Sequence, residues 1–222
     1  MKALSAKVCF VMDCTASMEP WLRMARNEIL NIIDYVEERH PYADIAVAFV
    51  GYRDHGDAHR LLVHPFSDVP PLVTFLNTIV ATGGDDFAED VAGALQHVHT
   101  LDWSRTDISM IYHIADAPAH GLRFHNGDIS DNYPEGDPLG LDPLAAVRQF
   151  ARNGAHYTFV RSTTTTDKMT GLFARAYDSG GTGRFAIVDM AGRSASALPA
   201  RISSSMDLTL TQYSGSQGQE GE

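Results

Sequence analysis

Basic side chains are scarce in this chain. Lys plus Arg number 17 against 28 Asp plus Glu in 222 residues, a formal charge of −11. Such a surface repels phosphate backbones and anionic lipid, so nucleic acid and membranes rank low as partners. A metal cation or a basic protein patch suits it better. Cysteine is nearly absent too: Cys9 lies within a predicted strand and Cys14 just beyond it. A disulfide between them would strain the backbone. Free thiols are expected, and they point to a reducing compartment. No hydrophobic run approaches the length of a membrane span. The apolar stretch in "MKALSAKVCFVMD" is too short for a signal h-region and is flanked by Lys7 and Asp13. The expectation is a soluble, cytoplasmic protein. No internal repeat is evident. With 44% hydrophobic residues there is enough core for one large domain, or one domain with a tail.

Strand-like runs alternate with helical patterns. "KVCFVM" (7–12) and "DIAVAFVGY" (44–52) read as strands, with a helical face of Leu22, Ala25, Ile29, Ile32, Ile33 and Val36 between them. Pro41 should stop that helix. "RLLVHPF" (60–66) reads as a short edge strand ended by Pro65, and "LVTFLNTIV" (72–80) as a helix after the Pro pair. A helix carrying Val91, Ala94, Leu95 and Val98 follows, then the strand "DISMIYHIAD" (107–116). "DPLAAVRQFARNG" (142–154) has Asp142 as N-cap, Pro143 at the first helical position and Gly154 as stop. "AHYTFV" (strand), "DKMTGLFARAY" (helix) and "RFAIVDM" (strand) complete the series. "MDLTLTQY" alternates weakly and could add an edge strand; the polar tail from about Gly215 reads as disordered.

Near-continuous apolar strands separated by helices imply a doubly wound α/β fold. Its six-stranded sheet is mostly parallel, with one antiparallel edge strand and helices on both faces. In the order 3-2-1-4-5-6, the reversal falls between strands 1 and 4, where ligands bind outside the carboxyl strand ends. Strand 1 ends in Asp13 and strand 4 in Asp116, so two distant carboxylates should meet there. The segment from Asp116 to Leu141 has three prolines, four glycines and no periodicity. A loop that long should form a rim of the site. After Asp13, Thr15 and Ser17 follow at alternate positions, and an extended segment can point all three oxygens at one place. Oxygen-only donors suit hard divalent cations, Mg2+ above all, with Mn2+ or Ca2+ as alternatives.

"DCTASM" resembles the Asp-x-Ser/Thr-x-Ser motif of von Willebrand factor type A (vWA) domains, which carries their metal-ion-dependent adhesion site. "GGDDFAEDVAGAL" and "HIADAPAHG" resemble the second and third loops of that site. "GYRDHGD" (51–57) and "DNYPEGDPLGLD" (131–142) look like the subset associated with alpha-kinases. The likeness spans residues 5–192, leaving 193–222 as a partly disordered C-terminal extension. It implies a Rossmann-like module that binds a partner protein, through an acidic side chain, at a bound divalent cation. By position, Thr15 and Ser17 would bind the metal directly. Asp13 and Asp116 would bind through water or stand behind the direct ligands. The usual second-loop Thr is missing; the slot falls on Asp86 or Phe87, and only Asp86 offers an oxygen.

Plainer readings cover the rest. Asp85, Glu89 and Asp90 read as a solvated helix start favoured by the helix dipole. His97 and His99 face differently on their helix, and His113 reads as packed within a strand. His120 and His125 lie on the rim loop within possible reach of a ligand. Arg53, Asp54 and Asp57 read as a structural charge cluster, and Cys14 as a small filler. Two rival functions compete with the binding module. A haloacid dehalogenase-like, Mg2+-dependent phosphatase also ends strand 1 in Asp, but it needs a second Asp where Thr15 stands. It also needs a Lys near a later strand end, and the candidate, Lys168, falls well inside a helical pattern. A scaffold with a degenerate metal site is the other rival. No catalytic residue is expected.

Overall fold

The computed structural model describes residues 4–178 and 183–219. Six strands form one sheet in the order β3-β2-β1-β4-β5-β6. They are β1 (Leu4–Asp13), β2 (Ala43–Tyr52), β3 (Leu61–Ser67), β4 (Ile108–Ala115), β5 (His156–Arg161) and β6 (Phe185–Asp189). All neighbours pair in parallel except β2 with β3, which is antiparallel. The helices are α1 (Glu19–Arg39), α2 (Val69–Leu76), α3 (Val91–Val98), α4 (Pro143–Arg152), α5 (Asp167–Tyr177) and α6 (Leu198–Gln219).

The alternation of β1 builds two cores. Ala6, Val8, Phe10 and Met12 face α1, α2 and α6, while Cys9 and Val11 face α3, α4 and α5. Both faces are covered, which is why the central strands carry almost no polar residue. Cys9 and Cys14 are buried free thiols. The expected caps of α4 hold: Asp142 accepts from Leu144 N at 3.0 Å, and Gly154 takes φ 72°.

Three expectations change. The edge strand β3 runs through Pro65 to Ser67, its pairing with β2 shifting register there; a proline is tolerated on such an edge. Helix α2 includes the proline pair in its first turn and ends at Leu76, because Pro is compatible with the first helical positions. "MDLTLTQY" is helical, not an edge strand. Ile202, Met206 and Leu210 recur every four residues and bury against α1 and the sheet, a period that overrides the weak alternation. The helix continues past Gly215 to Gln219; the end of the expected disordered tail lies outside the described residues.

One buried polar group spans the second core. His113 Nε2 pairs with the Tyr52 hydroxyl at 2.8 Å and His113 Nδ1 with the Tyr157 hydroxyl at 2.6 Å. Burial pushes its pKa down to about 3, so it is neutral at physiological pH. Replacing His113 with leucine strands both hydroxyls away from water. The expected loss, read by chemical denaturation, is about 2–5 kcal/mol. A loss below about 1 kcal/mol would show the hydroxyls repartnering.

Candidate functional site

The site forms where the strand order reverses, between the carboxyl ends of β1 and β4. After Asp13 the chain stays extended through Thr15 (φ −70°, ψ 169°) before a short 3-10 turn at Ala16–Met18. That geometry turns the Thr15 hydroxyl to Asp13 Oδ1 at 2.7 Å, with Thr15 N on the same oxygen at 2.8 Å. Ser17 Oγ lies 3.4 Å from Thr15 Oγ1. Just past β4, Asp116 stands near enough to Asp13 to disfavour its charge. Its main chain is fixed by Thr163 and Thr165, whose hydroxyls donate to Asp116 O at 2.7 and 2.5 Å. Thr15, Ser17, Asp86, Glu89 and Asp116 line one cleft of about 170 Å3.

Two glycines admit the second loop. Gly83 and Gly84 have φ of 90° and 87°. A Cβ on Gly83 would collide with the Asp57 carboxylate; one on Gly84 would lie 3.0 Å from Glu89 Oε1 and 3.3 Å from Thr15 Cβ. Only glycine lets this backbone pass between Thr15 and Glu89. Asp57 Oδ2 receives Gly84 N at 3.0 Å and Asp54 N at 3.1 Å, tying the loops after β2 and before α3 together.

The first turn of α3 is not solvated as its composition suggests. Asp90 is fully buried, caps the helix through Gly93 N at 2.7 Å and pairs with Arg60. With the cap supplied by Asp90, Glu89 turns inward and is 3% exposed. Of the three acids only Asp85 is exposed. Glu89 Oε2 and Asp13 Oδ2 are both buried without a hydrogen-bond partner. Burial, together with the charges of Asp13, Asp54, Asp57 and Asp86, pushes the Glu89 pKa up to about 11. Burial and then the neighbouring Asp116 raise Asp13 to about 8, against the lowering hydrogen bonds from Thr15.

Asp86 lines the same cleft, but one oxygen accepts Asn132 N from the rim loop. Burial raises its pKa. Asp86 also groups with Asp54 and His120, one donor atom of each lying within 4.8 Å of the others. His120 and His125 are buried and bond Asp131: His120 Nδ1 to Oδ1 at 2.8 Å, His125 Nε2 to Oδ2 at 2.9 Å. Burial works against charge on His120, yet its bonds to Asp54 and Asp131 carry its pKa up to about 9. Arg53 is structural, donating to the carbonyls of Ala58 and Val80 at 2.6 and 2.8 Å. Lys168 stands at the second position of α5, not well inside it, and fastens the rim loop through Leu122 O and His125 O. The sequence reading missed Asp131 as the loop's anchor. Its signal is the Asp-x-Tyr spacing of an Asx turn, seen in Tyr133 N donating to Asp131 Oδ1 at 2.8 Å.

Residues 7–128 match the family model described as von Willebrand factor A domain. The chain belongs to the von Willebrand factor A domain family. Alpha-protein kinase vwkA of Dictyostelium discoideum is 34% identical over 146 residues, 63% of this chain and 23% of that protein. This vWA chain thus corresponds to about a quarter of that relative. Among solved structures, the pilus adhesin SpaC of Lactobacillus rhamnosus GG superposes with a TM-score of 0.65 at 12% identity, over 96% of this chain and 31% of that one. The VWA domain of SpRpn10 gives 0.54 at 10% identity, over 88% and 93%. These likenesses show the fold. Among the described residues no helix is long and apolar enough to cross a membrane.

Proposed function

We propose that this vWA domain is a protein-binding module that engages its partner at a divalent cation, Mg2+ by preference. The observation that carries this reading is the pair of orphaned buried oxygens, Asp13 Oδ2 and Glu89 Oε2, beside the cleft lined by Thr15, Ser17 and Asp116. Buried carboxylate oxygens without partners are costly unless a cation or proton meets them, so the donor set fits a hard metal. Thr15 and Ser17 hydroxyls and the Asp13 and Asp116 carboxylates would hold the ion. We assign the second-loop oxygen to Glu89 rather than Asp86, because the unpartnered Glu89 carboxyl feels the charge of Asp13, while Asp86 accepts from Asn132 N and groups with Asp54 and His120. A bound cation supplies an electrophilic point for a partner's acidic side chain. Residues 5–192 would form the module, with the segment from 193 onward closing one face of its core. Two free buried thiols suit a reducing, cytoplasmic setting.

The test is isothermal titration of Mg2+ into Ser17→Ala and Asp116→Ala, each checked by a thermal melt. Binding should disappear in both while the fold survives, since neither side chain packs in the core. Undiminished Mg2+ affinity in both variants would remove the site.

The family assignment lends the phosphatase reading no support. Thr15 has no proton-transfer pKa near neutrality to serve as a general acid. No Mg2+-dependent release of phosphate from a generic aryl phosphate is expected. Release that vanishes in Asp13→Asn would revive the enzyme.

A further inference from the structure

We propose a second cation site next to the first, built from Asp54, Asp86 and His120. Three different loops contribute. Asp54 follows β2, Asp86 precedes α3, and His120 follows β4. Their donor atoms converge within 4.8 Å for Asp54, Asp86 and His120.

Two further observations separate this group from an ordinary charge cluster. Asp54 is almost fully buried and leaves Oδ2 unpartnered, and Asp86 Oδ1 is also buried and unpartnered. Asp54 Oδ1 is satisfied by His120 Nε2 at 2.6 Å and His55 N at 2.6 Å, so the orphan is specifically its other oxygen. The second observation is the setting of His120. Asp131 holds its Nδ1, and Asp131 is in turn held by Gly121 N and Tyr133 N, both at 2.8 Å. A carboxylate fixing the far nitrogen is the arrangement that orients metal-binding imidazoles. The near nitrogen, Nε2, faces Asp54. Arg53 makes no hydrogen bond to the group: its guanidinium donates to main-chain carbonyls and its Nε is unpartnered.

The donor chemistry differs from that of the first site. One imidazole with carboxylates favours Mn2+, Fe2+ or Zn2+ over Mg2+ and Ca2+. Asp86, only partly buried on the cleft wall, gives an entry path. In the metal-free chain His120 Nε2 is bonded to Asp54 Oδ1, and the ion would take the place of that bond.

This site uses none of the residues proposed to hold the first ion, and the experiment separates the two. Mn2+ is titrated into chelator-treated protein and its Ser17→Ala, Asp86→Asn and His120→Gln variants, with circular dichroism checking the fold. Asp86→Asn alters a partly exposed loop side chain and guards against a His120 variant that fails to fold. The wild type should bind two Mn2+ per chain. Each variant should bind one. Two ions in Ser17→Ala would overturn the first site alone. Two ions in both Asp86→Asn and His120→Gln, or a single wild-type equivalent that only Ser17→Ala removes, would overturn the second. The Asp54–His120–Asp131 group would then be a structural ion pair.

Discussion

Glu89→Gln is expected to raise the melting temperature of the metal-free protein while lowering its Mg2+ affinity at least about a hundredfold. The two effects share one cause. Glu89 sits in the cleft with no hydrogen-bond partner for its buried Oε2 and four acids around it. In the metal-free fold it stays protonated at neutral pH, and folding must take up that proton. Glutamine keeps the shape and removes the proton demand. A gain of about 1 kcal/mol would raise the melting point by about 2–4 °C for a chain of this size. The same amide brings no charge to a divalent cation, and losing even a residue that supports a ligand costs roughly 10–100-fold. Asp86→Asn is the control and should leave Mg2+ affinity at the first site within about threefold, because Asp86 accepts from Asn132 N and groups with Asp54 and His120 rather than with Asp13. If Asp86→Asn loses Mg2+ and Glu89→Gln keeps it, the second-loop oxygen belongs to Asp86, as position in the sequence suggests.

That contest marks where the sequence was legible. The strand-end carboxylates could be read because long apolar runs fix the strands, and the strands fix where Asp13 and Asp116 emerge. The alternation Asp13, Thr15, Ser17 is local, so an extended backbone was enough to foresee a shared direction. Glu89 and Asp86 are three residues apart on a loop whose path depends on Gly83, Gly84 and the docking of Phe87 N on Ser130 O at 3.1 Å. No period speaks to such a loop, and composition suggested a solvated acidic turn. A clue was present: only one of two adjacent acids can cap a helix, and Asp90 does so, freeing Glu89 to turn inward. Likewise α6 was legible in its four-residue spacing of Ile202, Met206 and Leu210, but a weak two-residue alternation masked it. The histidines of the rim required tertiary knowledge. His120 meets Asp54 across 66 positions of sequence, and nothing local encodes that pairing.

The largest solution effect expected is the pH dependence of metal binding. Asp13 is raised to about 8 by burial and by Asp116, and Glu89 to about 11 by burial and the acids around it. In the unfolded chain both titrate near the ordinary carboxylate range, about 4. A folded pKa above the unfolded one gives stability that is full below about pH 4. That stability is lost as pH climbs, through about 8 for Asp13 and on toward about 11 for Glu89. The metal-free protein therefore weakens from these groups across the neutral range. His113 works the other way. Its folded pKa, about 3, lies below that of free histidine, so its contribution is lost only as pH falls below about 6.5. Mg2+ must displace the protons on Asp13 and Glu89, so each contributes about tenfold in apparent affinity per pH unit while it is still protonated. Between pH 6 and 8 this is up to about a hundredfold per proton. The thermal shift produced by a fixed Mg2+ concentration should grow steeply over that interval. Titration calorimetry at pH 6.5 in buffers of different ionisation heat should find about two protons released per Mg2+. Glu89→Gln should reduce that number to about one in whatever binding remains. A pH-independent affinity with no proton release would mean that the cation never meets these carboxylates, and the site would have to lie elsewhere.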